Sequence, residues 1–132
     1  MQINDPAIRA EVEAAFAVYE AALVGNDVAT LDRLFWDDPA TIRYGGAENL
    51  YGYAAIAAFR ATRSPAGLAR ILDRTVITTF GVDVATCSTL FRRDTLPGKV
   101  GRQMQTWVRM AEGWRIVAAH VSVIDDPDAE HS

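Results

Sequence analysis

One cysteine in 132 residues leaves nothing for an internal disulfide, and Cys87 sits in the strand-like run VATCSTLF, which reads as a small core residue of a reducing compartment rather than a nucleophile. Histidine is almost as scarce. His120 is the one internal histidine and His131 lies in the terminal tail, so HxH and HExxH spacings are absent and CxxC is impossible; no metal site is expected. No P-loop, GxGxxG or GxSxG occurs, which leaves nucleotide cofactors without a visible cradle and removes the serine-hydrolase elbow. A basic excess is also missing. With a net charge of -4 and arginines scattered among acids, the chain offers phosphate no basic face, and nucleic-acid binding is not expected. No apolar run approaches the ~18 residues of a membrane span, and the start MQINDPAIRAEVE has neither a basic nor an apolar targeting region. The expectation is a cytoplasmic protein without membrane association.

What is present is an ordinary globular balance, 50% apolar and 23% charged, in a length that suits one domain. The expected domain is 1-132, with a polar tail over 125-132. Asp5 and Pro6 mark a helix start, and a stripe of Ile8, Val12, Ala15, Phe16, Tyr19 and Leu23 carries that helix to Gly25-Asn26. A short second helix, capped by Asp27, holds Leu31, Leu34, Phe35 and Trp36 and stops at Pro39. Ala40 to Tyr44 and Glu48 to Tyr51 read as a hairpin about Gly45-Gly46, followed by a third helix from Tyr53 to about Arg63. Long strands then run from Ala69 to Phe80, Asp83 to Arg92, Arg102 to Met110 and Trp114 to Ile124. Helices first and antiparallel strands later give an α+β architecture, a curved sheet whose concave face is covered by the N-terminal helix, with a pocket between them.

Polar residues on these apolar elements are the site candidates. Tyr19 lies mid-stripe, so its phenol is either a core group bonded to a backbone carbonyl or a pocket donor. Arg43 alternates with Ile42 and Tyr44; it is either a solvated strand arginine, a partner of Glu48, or an anion ligand. Glu48 either holds Arg43 or acts as a base. Gln103 and Gln105 share a face with Trp107 and Arg109, which is either the pocket or a subunit interface, while Met104, Thr106, Val108 and Met110 read as the drier face. His120 is in phase with Trp114, Ile116, Ala118 and Ser122; a lone histidine on such a face is more often structural than catalytic. Arg60 and Arg63 project together from the third helix, either toward an anion or into solvent, and Arg92 and Arg93 read as surface.

The order of elements and the closing WRIVAAHVS resemble the NTF2-like superfamily with its SnoaL-like enzymes. The blocks NDVATLDRLFW, TIRYGGAENLYG, IAAFRATR, TTFGVDVAT and GRQMQTWVR together resemble the AtzH-like family, which includes the HpxZ-type proteins of oxalurate catabolism. The resemblance implies an NTF2-like cone and a cofactor-independent decarboxylating amidohydrolase acting on a small anionic ureido substrate: 1,3-dicarboxyurea to allophanate in cyanuric-acid catabolism, or an oxalurate-pathway analogue. It also implies catalytic positions at Tyr19 and Arg43. Gln105, His120, Glu48 and Trp107 are the candidates for the remaining pocket wall. A homodimer is the default for this fold, and an amidase-signature enzyme is a candidate partner. Two rival readings come from other classes. One is a non-catalytic ligand-binding or assembly subunit. The other is a SnoaL-like isomerase or hydratase, which would need Glu48 or His120 deep in the pocket as a base.

Overall fold

An aspartate and a proline start the longest helix. In the computed structural model, which describes residues 1-129, the Asp5 carboxylate accepts from the backbone N–H of Ala7 at 3.0 Å and of Ile8 at 3.3 Å. These donors have no carbonyl partner at a helix start, so the cap fixes where α1 (Pro6–Val24) begins. Its buried face is the expected stripe, Ile8, Val12, Phe16, Tyr19 and Leu23, joined by Ala22, with Ala15 partly buried. Asn26 takes a left-handed φ of 51° after the helix ends, and Asp27 then caps α2 (Val28–Leu34) through Thr30. The second helix is shorter than its apolar run suggested. Phe35 turns extended and bridges Ile116, and Trp36 donates its N–H to the Ile116 carbonyl at 3.0 Å, so the sheet edge claims these two residues.

The hairpin β1 (Ile42–Tyr44) and β2 (Asn49–Tyr51), helix α3 (Tyr53–Thr62) and the long strands β3 (Ile71–Phe80), β4 (Val84–Arg92), β5 (Lys99–Met110) and β6 (Gly113–Asp125) complete the chain. One six-stranded sheet takes the order β2-β1-β6-β5-β4-β3. Its pairs are antiparallel except β1 with β6, which run parallel, a crossover that alternation along the sequence does not reveal. A register irregularity between Asp73 and Val76, where Arg74 adopts a φ of 51°, bends β3. α1 packs into the concave face, and the core runs from Val12 and Phe16 through Ala85 and Cys87 to the fully buried Trp107 and Ile116. Asp125 belongs to β6, and Asp126 accepts from Arg92 Nε at 2.7 Å, so the polar tail is tied down at its start; 130-132 lie outside the described residues.

Two expectations about sheet faces are corrected here. Gln103, Gln105 and Trp107 form the concave, buried side of β5, whereas Met104 is 53% exposed on the convex side. The glutamine face is therefore the dry one, opposite to the sequence reading. The reason is that a covering helix buries whatever alternates with Trp107, amides included. β6 holds the second surprise. Thr106 pairs with Ala118 but Trp107 pairs with Ile116, leaving Val117 as an extra residue. Such a bulge reverses the phase of the strand. Trp114 and Ile116 face the core before it, and Ala119 faces the core after it, so His120 falls on the convex side.

Candidate functional site

Between the end of α1 and the sheet lies a cavity of about 190 Å³. Tyr19 and Leu23 of α1, Leu31 of α2 and Val121 of β6 supply part of its wall. The rest is dominated by charge: Arg43 from β1, Arg60 from α3, Arg63 and Arg70 from the segment leading to β3, and Arg93 just after β4. Arg43 reaches it because its register partner is the concave-facing Ala119. Gln103 and Phe91 complete the floor.

Three of these guanidiniums have carboxylate partners. Arg43 Nη1 donates to Glu48 Oε1 at 2.8 Å, with the two side chains 16% and 21% exposed, and Glu48 also accepts from the Ala47 N–H. Arg60 is paired with Asp32 and lies over the Phe35 ring at 4.7 Å. Arg70, its side chain buried, donates from Nε and Nη2 to the two oxygens of Glu20 at 2.9 and 2.5 Å, a bidentate pair, and from Nη2 to Gln103 Oε1 at 3.0 Å. Arg63 and Arg93 pair with no carboxylate among the described residues, and Arg63 Nε and Nη2, Arg93 Nε and Gln103 Nε2 are all buried without an acceptor. Burial, then repulsion from Arg60, holds the Arg63 guanidinium below its ordinary pKa. Burial and then Arg70 do the same to Arg93. Five guanidiniums against three carboxylates leave the cavity two positive charges in excess.

Tyr19 is 7% exposed and its ring stands edge-on to Trp107, with centroids 6.4 Å apart. Its hydroxyl makes no protein hydrogen bond among the described residues, so the carbonyl-bonded core tyrosine is not what the structure contains. Phe91 is clamped between Arg70 at 4.6 Å and Arg93 at 4.7 Å, two cation–π contacts on one ring. The ring lies across its register partner Gly101, where an added Cβ would come within 2.0 Å of Phe91 Cζ.

The sequence candidates separate accordingly. Tyr19 and Arg43 do line one cavity. Glu48 does not line it; it orients Arg43, so the base alternative loses its position. Trp107 is fully buried behind Tyr19 rather than in the cavity wall. Gln105 accepts from Trp107 Nε1 at 3.0 Å and is likewise a supporting residue, its place in the wall taken by Gln103 two residues earlier. His120 is excluded by the β6 bulge and stands edge-on to Tyr44 on the convex face, ring centroids 6.2 Å apart. Among the described residues no carboxylate or histidine lines the cavity, as the isomerase reading would require. Cys87 is fully buried in the core, and burial pushes its thiol up to about 12. Among the described residues no cluster of His, Cys, Asp and Glu is arranged to hold a metal ion, and no helix is long and apolar enough to cross a membrane.

The AtzH-like family matches residues 1–127. The chain belongs to the AtzH-like family. Among solved structures, a DUF3225-family protein of unknown function from Pectobacterium atrosepticum SCRI1043 is 59% identical, with a TM-score of 0.91 over 93% of this chain and 95% of that one. A cystatin-like fold protein from Burkholderia xenovorans LB400 is 53% identical, with a TM-score of 0.93 over 96% of this chain and 99% of that one. An NTF2-like protein from Pseudomonas putida KT2440, 16% identical, shares the fold alone, with a TM-score of 0.75 over 96% of this chain and 93% of that one. Comparison with curated proteins gave no match.

In this AtzH-like chain the sequence reading missed most of the arginine wall. Arg93 read as surface, yet it continues the odd-numbered concave phase of Thr89 and Phe91. Arg60 and Arg63 read mainly as a solvated helix end, yet Arg60 sits one turn beyond the buried Ile56 and is itself 5% exposed. Those two periodicities were the available signals. Arg70 offered none, because its partner Glu20 lies fifty residues away.

Proposed function

We propose that this AtzH-like protein is a cofactor-independent enzyme that removes CO2 from a small N-carboxylated urea, as in the conversion of 1,3-dicarboxyurea to allophanate or a related oxalurate-pathway step. The observation that carries this reading is a single cavity in which Tyr19 faces an excess of guanidinium charge. At about 190 Å³ the cavity is smaller than the roughly 300 Å³ where drug-sized pockets begin, which suits a compact anion. The Glu48 contact occupies one Nη1 hydrogen of Arg43, and the remaining fork is available to a carboxylate. In the reaction the bond between nitrogen and carboxylate carbon breaks, its electron pair stays on nitrogen, and CO2 departs. The Tyr19 hydroxyl protonates that nitrogen and regains its proton from solvent. Arg43 holds the urea so that the departing carboxylate, rather than the retained one, lies against Tyr19.

The test is CO2 release from ureido mono- and dicarboxylates. Wild type releases CO2 from a dicarboxylate, Arg43→Ala loses about 2 to 4 kcal/mol of transition-state stabilisation, and Tyr19→Phe falls comparably in kcat. Full turnover by both variants removes the assigned roles. Binding without any CO2 release would favour the ligand-binding subunit, with an amidase as its candidate partner. The homodimer is proposed on a separate observation: Val76, Val84 and Met104 are exposed on the convex sheet face, an apolar surface that a second copy would cover. Sedimentation equilibrium reads the outcome directly, and a monomer at micromolar concentration overturns it.

A further inference from the structure

The cavity holds two kinds of cation. Arg43, Arg60 and Arg70 are each neutralised by a carboxylate on a neighbouring element, so they enter the site with their charge balanced and their orientation fixed. Arg63 and Arg93 are different. Neither has a carboxylate partner among the described residues, and three of their N–H-bearing nitrogens are buried without an acceptor. Gln103 adds a fourth donor: its Oε1 is taken by Arg70, which leaves Nε2 buried and unbonded beside them. A buried donor without a partner costs about 1–3 kcal/mol, and more when it is charged, so four in one wall represent stored binding capacity. Crowding points the same way, since Arg60 and Arg43 press on Arg63, and Arg70 and Arg63 press on Arg93.

We infer that Arg63, Arg93 and Gln103 form a second anion subsite, separate from Arg43, so that the cavity selects a compact dicarboxylate over a monocarboxylate. The two excess charges match a dianion. One carboxylate faces Arg43 and Tyr19, and the other meets the unpaired donors of Arg63, Arg93 and Gln103. A monoanion satisfies one end and leaves the other unpaired, and by the general asymmetry of buried hydrogen bonds it binds more weakly than its own contacts suggest. The inference deepens the proposed function and rests on it only in taking the cavity as the ligand site.

The experiment is calorimetric titration of the full chain with malonate, which loses no CO2 under these conditions, and with acetate. Wild type binds malonate at least about tenfold more tightly than acetate. Arg63→Gln and Arg93→Gln each weaken malonate about tenfold or more and change acetate by less than about threefold. Because Arg63 relieves no charge in the unliganded protein, Arg63→Gln melts no lower than wild type, which a merely structural arginine would not allow. Should Arg93→Gln fail to fold, Arg93→Lys keeps the charge but loses the fork and gives the same malonate deficit. Equal wild-type affinity for the two anions, or variants that keep malonate affinity, overturns the inference. The two proposals fail separately: malonate selectivity without CO2 release from any ureido dicarboxylate refutes the reaction alone, and normal KM for a turned-over dicarboxylate in Arg63→Gln and Arg93→Gln refutes the subsite alone.

Discussion

Replacing Gly101 by alanine adds a single methyl group, yet its position makes it a probe of the whole arginine wall. The Cβ would lie 2.0, 2.2 and 2.3 Å from the Cζ, Cε2 and Cε1 atoms of Phe91, closer than non-bonded carbons can sit. Gly101 is not in the left-handed region, so alanine meets no backbone strain and the clash alone decides. The ring must swing away, but it is 1% exposed and lies between the guanidiniums of Arg70 and Arg93. Overpacking of this kind costs about 1–3 kcal/mol. Losing the two cation–π contacts adds about 0.5–1 kcal/mol each, so the total is about 2–5 kcal/mol. Against a domain stability of about 5–15 kcal/mol the variant stays folded. Urea denaturation reads the loss as a lower midpoint at unchanged slope. The double variant Gly101→Ala/Phe91→Leu is less destabilised than the two single variants combined, by more than about 1 kcal/mol, because the smaller side chain vacates the space. Since Arg93 loses its platform, malonate affinity falls with stability in Gly101→Ala. An unchanged midpoint, or strict additivity in the cycle, would refute the packing argument.

Two further predictions follow from the same geometry. Burial keeps the Cys87 thiol neutral up to about 12 in the folded chain, whereas the unfolded thiol ionises near ~8.5. Its contribution is therefore complete below ~8.5 and declines as pH rises toward 12; at pH 10 about 2 kcal/mol has gone. Cys87→Ala lacks this decline, so the stability gap between wild type and variant, measured in urea with reductant, narrows between pH 7.5 and 10; a constant gap contradicts the burial effect. Glu48→Gln keeps an acceptor for Arg43 Nη1 but removes the negative charge. Malonate should bind about 1 kcal/mol more tightly, roughly fivefold, by titration calorimetry, and weaker binding would mean that the carboxylate charge is needed to hold the guanidinium in place.

Local rules carried much of the fold from sequence to structure. The Asp5-Pro6 start, the Tyr19 stripe and the Gly45-Gly46 hairpin depend on residues within a turn or two of one another, and each formed where its chemistry places it. Pairing across the sheet was harder. Nothing in VAAH announces that Val117 is the extra residue of a bulge, and that one displacement carried His120 to the opposite face. The parallel β1–β6 pair, and with it the concave position of Arg43, likewise depends on a crossover between distant segments. Tyr19 and Arg43 were legible because one lies in a helix stripe and the other in a family-like block. The arginine wall around them was not, because charged residues in a sequence are ordinarily solvated, and only the cavity shows which of them are enclosed.

The most direct measurement is a crystal structure of the wild-type chain grown with malonate. The account predicts one malonate in the cavity between α1 and the sheet, with one carboxylate within hydrogen-bond distance of Arg43 and the Tyr19 hydroxyl, and the other bound by Arg63, Arg93 and Gln103. Malonate bound only outside that cavity, with the wall of arginines unchanged around it, would contradict the claim that this is the protein's anion site.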